Sequence, residues 1–205
     1  MTASASIPTA DETRDRILRE AERLFRYYGY AKTTVADIAS ACAMSPSNVY
    51  RFFASKSAIN EAICARIIAD SELCLRQIAR REASASDRLK DFILEMHRFT
   101  VENLLDQKKV HEMVVVAMEE QWSAVETHIR YTRSLVEEII ASGIETGEFQ
   151  AADASWAARC VFAALTSIKH PVIVAQCIDD PDRAQPEEMA AFLVAALKPN
   201  TRLSA

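Results

Sequence analysis

Only three glycines, Gly29, Gly143 and Gly147, occur in 205 residues, and the six prolines sit at segment edges rather than inside apolar runs. Sandwiches and barrels need many Gly- and Pro-rich corners, so this scarcity argues for an all-α chain. No uncharged apolar run reaches about 18 residues, so no segment is expected to span a membrane. The opening MTASASIPTADET lacks a basic run followed by an apolar core and is not expected to be a secretory signal. Five cysteines (Cys42, Cys64, Cys74, Cys160, Cys177) form an odd set without C-x-x-C spacing. Reduced, mostly buried thiols in a cytoplasmic protein are the expectation.

Signatures of catalysis are also missing. There is no G-x-S-x-G, P-loop or G-x-G-x-x-G. The stretch HEMVV at 111–115 begins like a zinc-protease helix, but Val115 stands where the second histidine belongs. The four histidines, His97, His111, His128 and His170, are scattered without ligand spacing. No catalytic residue, metal or cofactor is expected, and the chain does not read as an enzyme.

Positive charge is scarce overall but concentrated. The net charge is −5, yet residues 13–56 carry eight basic side chains against four acidic ones. Such asymmetry suggests a nucleic-acid-facing end on an otherwise acidic protein.

Apolar periodicity supplies about nine helices. In TRDRILREAERLFRYY, Ile17, Leu18, Ala21, Leu24, Phe25 and Tyr28 form one stripe opposite arginines and carboxylates. Thr9-x-x-Glu12 and Asp11 offer N-caps, and Gly29 ends the helix. Thr34-x-x-Asp37 is a second capping box. After Ala43 and Met44, Ser45 caps a third helix with Pro46 at its first position, running to about Phe53. Ser55 opens a longer helix. Further helices are expected over 87–106, 109–120, 122–146, from Asp153 to His170, and 187–197. Gly143 and Gly147 read as the end of the 122–146 helix, and His170-Pro171 as a stop.

Two short helices joined by a tight turn have the dimensions of a helix-turn-helix, whose second helix enters the major groove. Residues 13–60 resemble the DNA-binding domain of TetR-family transcriptional regulators. The resemblance rests on Leu24-Phe25 before Gly29, Thr33-Thr34, Asp37-Ile38-Ala39, Ser45, Tyr50, Phe52-Phe53 and Ser55-Lys56. It implies an N-terminal three-helix DNA-binding domain at 13–56. A helical effector-binding and dimerisation domain follows at 57–199, with tails at 1–12 and 200–205. Two departures stand out. Ala43 replaces the family's frequent turn glycine, and Pro46-Ser47-Asn48 replaces a commoner basic-small-Thr start.

The residues expected to face DNA are Thr33, Thr34, Ser45, Pro46, Ser47, Asn48, Tyr50, Arg51 and Lys56. Thr34 and Lys56 lie at helix N-termini, which favour phosphate. An asparagine amide such as Asn48 can pair bidentately with adenine.

SWAARCVFAALTSI at 155–168 and MAAFLVAAL at 189–197 are apolar nearly all round and rich in alanine, so they need cover on several sides. A two-fold homodimer is expected, with Cys160, Ala164, Ile168, Phe192 and Ala196 at its interface. The partners are then a palindromic double-stranded DNA operator, a second copy and a small-molecule effector. The resemblance implies a repressor at the bacterial nucleoid. A mainly apolar or aromatic effector is expected against Met96, Phe99, Met113, Met118, Trp122, Trp156 and Phe162, oriented by His97 or His111. Met and aromatic residues at helical spacing more often serve as plain core.

Overall fold

Side-chain caps start most of the helices. The computed structural model describes residues 9–105, 115–116 and 123–199. Among these, ten α-helices appear and no strand: α1 Ala10–Tyr28, α2 Val35–Ala41, α3 Pro46–Tyr50, α4 Lys56–Arg80, α5 Ala85–Phe99, α6 Ser123–Glu145, α7 Ala154–Ala164, α8 Thr166–Lys169, α9 Pro171–Cys177 and α10 Pro186–Leu197. At α1 the Thr9 hydroxyl accepts the Glu12 N–H at 3.2 Å while the Glu12 carboxylate accepts the Thr9 N–H at 2.8 Å. Such reciprocal caps satisfy N–H groups that have no partner inside the helix. Ser55 caps α4 through the Ala58 N–H at 3.0 Å, and Asp153 caps α7 through the Ser155 N–H at 2.9 Å.

The described residues fall into two compact units, the first of residues 9–67 and 115–116, the second of residues 68–105 and 123–199. In the first unit, Ile17, Ala21, Phe25, Ile38, Ala39, Val49, Ile59 and Ile63 form a core with no exposed surface. Each large side chain among them contributes about 1.5–3 kcal/mol of burial. In the second unit α5 packs on α6 and α10, and α6 packs on α7. Its core gathers Leu89, Phe92, Ile93, Leu135, Ile139, Ala158 and Ala190.

Three features depart from the expected helices. After Phe99 the chain widens into π-helical turns over Thr100–Leu105. The Thr100 hydroxyl, at this junction, donates to the Met96 carbonyl at 3.0 Å. The helix expected from Asp153 to His170 breaks at Leu165, where the Thr166 hydroxyl takes the Ala163 carbonyl at 2.8 Å, a side-chain bond that competes with the helical ladder. Pro171 does more than stop that run, because it also occupies the first position of α9, where a missing N–H is harmless.

Gly143 is not a cap. A Cβ there would enter the Phe149 ring and stand 2.9 Å from the Ala85 Cβ, so close approach selects glycine. Gly147, at φ 74, has the left-handed backbone expected beyond a helix end. The helix expected at 109–120 lies outside the described residues.

Candidate nucleic-acid interface

The turn between α2 and α3 is set by backbone hydrogen bonds. The Met44 N–H reaches the Ala39 carbonyl at 2.9 Å and the Ala43 N–H reaches Ser40 at 3.0 Å. This is the bonding of a Schellman C-cap, and it puts Ala43 at φ 51, where glycine is the usual residue. Ser45 then caps α3: its Oγ accepts the Asn48 N–H at 3.3 Å and lies 2.9 Å from the Ser47 Oγ. Val49 is fully buried and anchors α3, with Phe53 behind it in the same core.

That anchoring leaves Ser45, Pro46, Ser47, Tyr50 and Arg51 exposed on the opposite face, Tyr50 to 52%. Asn48 is half-buried, its amide 3.9 Å from the Met44 sulfur. This neighbour is a weak acceptor, so the amide's stronger bonding capacity is unspent on it. These residues make a short, small-residued edge that can approach base edges closely.

Two expected DNA contacts have other employment. Thr33 is 2% exposed, and its hydroxyl donates to the Gly29 carbonyl at 2.9 Å, so its side chain frames the loop instead of facing solvent. Which of two adjacent threonines turns inward is a tertiary outcome that no local pattern records. The Lys56 ammonium donates to the carbonyls of Tyr30 at 2.9 Å and Thr33 at 3.1 Å. It ties the α1–α2 loop to the start of α4. Thr34 is exposed, but its N–H and hydroxyl both donate to Asp37, at 2.8 and 2.6 Å. Those bonds hold the Asp37 carboxyl below its usual range. A phosphate at α2 would therefore meet only the remaining first-turn N–H groups, beside a carboxylate.

Two carboxylates of α1 are paired with arginines. Glu20 pairs with Arg23 at 2.8 Å, and Glu22 pairs with Arg26 at 2.7 Å and with Arg66. Arg14, exposed, lies 4.7 Å over the Phe53 ring.

In the second unit, Met96 and Phe162 join the same core and Phe99 is half-buried. His97 bonds the Ile168 carbonyl through Nδ1 at 2.7 Å and lines a groove of about 550 Å³ with Leu94, Val101 and Pro186. Trp156, expected among the effector contacts, is 56% exposed on the outer face of α7. That face continues through the exposed Cys160 and Ala164, at helical spacing. Phe192, at 69% exposure, and Ala196 make a similar exposed stripe on α10. Ile168 is the exception among the expected interface residues: it is buried in its own chain's core. His111, Met113, Met118 and Trp122 lie outside the described residues.

A polar cluster that the sequence reading passed over lies in this unit. The Lys169 ammonium sits 4.0 Å from the centre of the Phe162 ring. His128 Nδ1 meets the Glu72 carboxylate at 3.0 Å. Burial pushes the Lys169 ammonium toward its neutral form. Burial likewise lowers His128, with Glu72 opposing, and His170, and Lys169 adds to both shifts. The signal was present in the sequence, since Phe162 and Lys169 are two helical turns apart. Burial raises the thiols of Cys42, Cys74 and Cys64, the last to about 12. No group of His, Cys, Asp and Glu able to hold a metal occurs among the described residues, and no described helix is long and apolar enough to cross a membrane.

Comparison with known proteins matches this geometry. Residues 17–63 match the family model for bacterial regulatory proteins of the tetR family, and residues 85–190 match the model for a tetracyclin repressor-like C-terminal domain. The HTH-type transcriptional regulator UidR of Escherichia coli strain K12 is 34% identical over 86 residues, covering 42% of this chain and 41% of UidR. A transcriptional regulator from Cytophaga hutchinsonii superposes with TM-score 0.69 at 21% identity, covering 90% of this chain and 98% of that one. The complex of SmeT, from Stenotrophomonas maltophilia, with triclosan superposes at 0.64 and 19% identity, over 92% and 93%.

Proposed function

Because this chain belongs to the TetR family of bacterial regulatory proteins, we propose that it is a sequence-specific DNA-binding transcriptional repressor. The observation that carries the reading is the α3 edge. Ser45, Pro46, Ser47 and Tyr50 are exposed while Val49 locks the helix from behind. A buried anchor and a small polar leading edge are what major-groove docking requires. Asn48 and Tyr50 read base edges, Arg51 takes phosphate, and Lys56 acts by holding the loop before α2.

The repressor is a homodimer that acts in the cytoplasm on the bacterial nucleoid. The exposed stripes Trp156–Cys160–Ala164 on α7 and Phe192–Ala196 on α10 support it, because large apolar side chains in that alignment call for a self-complementary partner. Two-fold symmetry then makes the operator palindromic, with half-sites about 34–36 Å apart. The second unit holds a small effector of mainly apolar or aromatic character that releases the operator. The SmeT complex with triclosan supports this only as a demonstration that the fold can take an aromatic compound.

The test is selection of bound DNA from a random library, followed by gel shift with the recovered sequence. A palindromic consensus that Tyr50→Ala no longer binds supports the proposal. Recovery of no consensus, or binding unaffected by that substitution, refutes it.

A further inference from the structure

We propose that Pro46 reads the 5-methyl group of a thymine in each operator half-site. The inference rests on reading α3 as the helix that enters the major groove. It starts from the bonding of the first turn of α3. The Ser45 hydroxyl accepts the Asn48 N–H at 3.3 Å and lies 2.9 Å from the Ser47 hydroxyl. The hydroxyls on either side of Pro46 are thus bonded to each other. Between them the pyrrolidine ring is exposed, and it offers neither an N–H nor any side-chain donor or acceptor. Such a ring cannot hydrogen-bond to a base. Against the major-groove edges of guanine, adenine or cytosine it would strip water from polar atoms and return no bond. Thymine alone adds an apolar group there, its C5-methyl.

The ring is also held still before DNA arrives. Pro46 occupies the first position of α3, where its own ring fixes φ and Ser45 caps the turn. Val49, three residues on and fully buried, fastens that turn to the core from behind. Proline has no side-chain rotamers to lose, so placing a methyl against it orders nothing further. Starting the helix is a second role for Pro46, but a helix start is indifferent to the DNA sequence. Dependence on one methyl group separates the two roles.

The experiment uses the full chain and the operator recovered by selection from a random library. Each thymine is replaced in turn by deoxyuridine, which differs only in lacking the methyl, and affinity is measured by gel shift. At one thymine per half-site the exchange is expected to weaken wild-type binding by about fourfold for each half-site exchanged, the worth of one buried methyl. Pro46→Ser should bind the thymine and uracil operators equally at that position, while other thymines keep their wild-type response. Serine is tolerated at helix starts, so native circular dichroism is expected in this variant. The inference is overturned if no thymine responds, if Pro46→Ser responds as wild type does, or if folded Pro46→Ser loses all binding, since one methyl contact cannot account for that. A consensus in which no thymine methyl matters unseats this inference and leaves the regulator reading standing. Recovery of no consensus unseats the regulator reading itself.

Discussion

The Lys56 ammonium stands 4.3 Å from the centre of the Tyr30 ring and donates to that residue's own carbonyl at 2.9 Å. One cation thus holds both the ring and the backbone of a residue in the loop after α1, while a third contact reaches Thr33. Charge-assisted bonds to carbonyls are stronger than neutral ones. Lys56→Met is therefore expected to lower the unfolding free energy by about 2 kcal/mol, read by urea titration. Unchanged stability together with weakened DNA binding would return Lys56 to the phosphate role that its place at a helix start suggests.

Tyr50 should show the opposite signature. It is half exposed and anchors nothing in the core. Tyr50→Ala is expected to change stability by no more than about 0.5 kcal/mol. Operator affinity should fall by about tenfold or more, the cost of a lost base or phosphate contact. Paired urea and gel-shift measurements check both halves.

Ala43 pays a conformational cost that glycine would not, since its φ of 51 lies in the left-handed region. Ala43→Gly is expected to stabilise the chain by about 1 kcal/mol, raising Tm by about 2–4 °C. Residue 43 is exposed, so no packing is lost in exchange. A lower Tm in calorimetry would contradict this.

Glu148 caps α5 from a distant part of the sequence, accepting the Ala85 and Ser86 N–H groups at 2.7 and 2.9 Å. Burial by itself would raise its carboxyl, but the bonds from Ser86 and Ala85 outweigh that and hold it below the usual 4.5. A carboxylate whose folded value is depressed stabilises the fold above its unfolded value and loses that contribution as pH falls through the folded one. Glu148→Gln is expected to cost about 1 kcal/mol at pH 7. The difference from wild type should shrink below pH 4.5. A pH series of urea midpoints measures it; a difference that stays constant with pH would rule the cap out.

Phe192, the most exposed large apolar side chain among the described residues, tests the dimer. Phe192→Arg is expected to shift light scattering from dimer to monomer with native circular dichroism. A dimer that persists would move the interface elsewhere.

What could be read without coordinates was mostly local chemistry. Thr9, Thr34, Ser45, Ser55 and Asp153 announce helix starts because a capping hydroxyl or carboxylate acts within three residues of itself. The α3 edge was legible for the same reason, as Val49 alternates with polar neighbours at helical spacing. The bonds of Thr33 and Lys56 were not legible because their partners, the Gly29, Tyr30 and Thr33 carbonyls, are brought to them by the fold. Gly143 looked like a cap until Phe149 and Ala85 closed around it. Trp156 looked like a pocket aromatic because periodicity does not say which side of α7 the rest of the chain will cover. Lys169 was overlooked because a basic residue near a helix end has an ordinary reading as a dipole partner.

The leading edge of α3 carries no cation: Ser45, Pro46, Ser47 and Asn48 are all neutral. Contacts of that kind release no counterions from DNA, so they change little with ionic strength, whereas arginine–phosphate contacts weaken steeply as salt rises. If the proposed function holds, choice of operator and strength of hold are carried by different residues, the first by neutral groups on α3 and the second by Arg51. Rising salt should loosen this protein from all DNA while leaving its preference among sequences nearly intact.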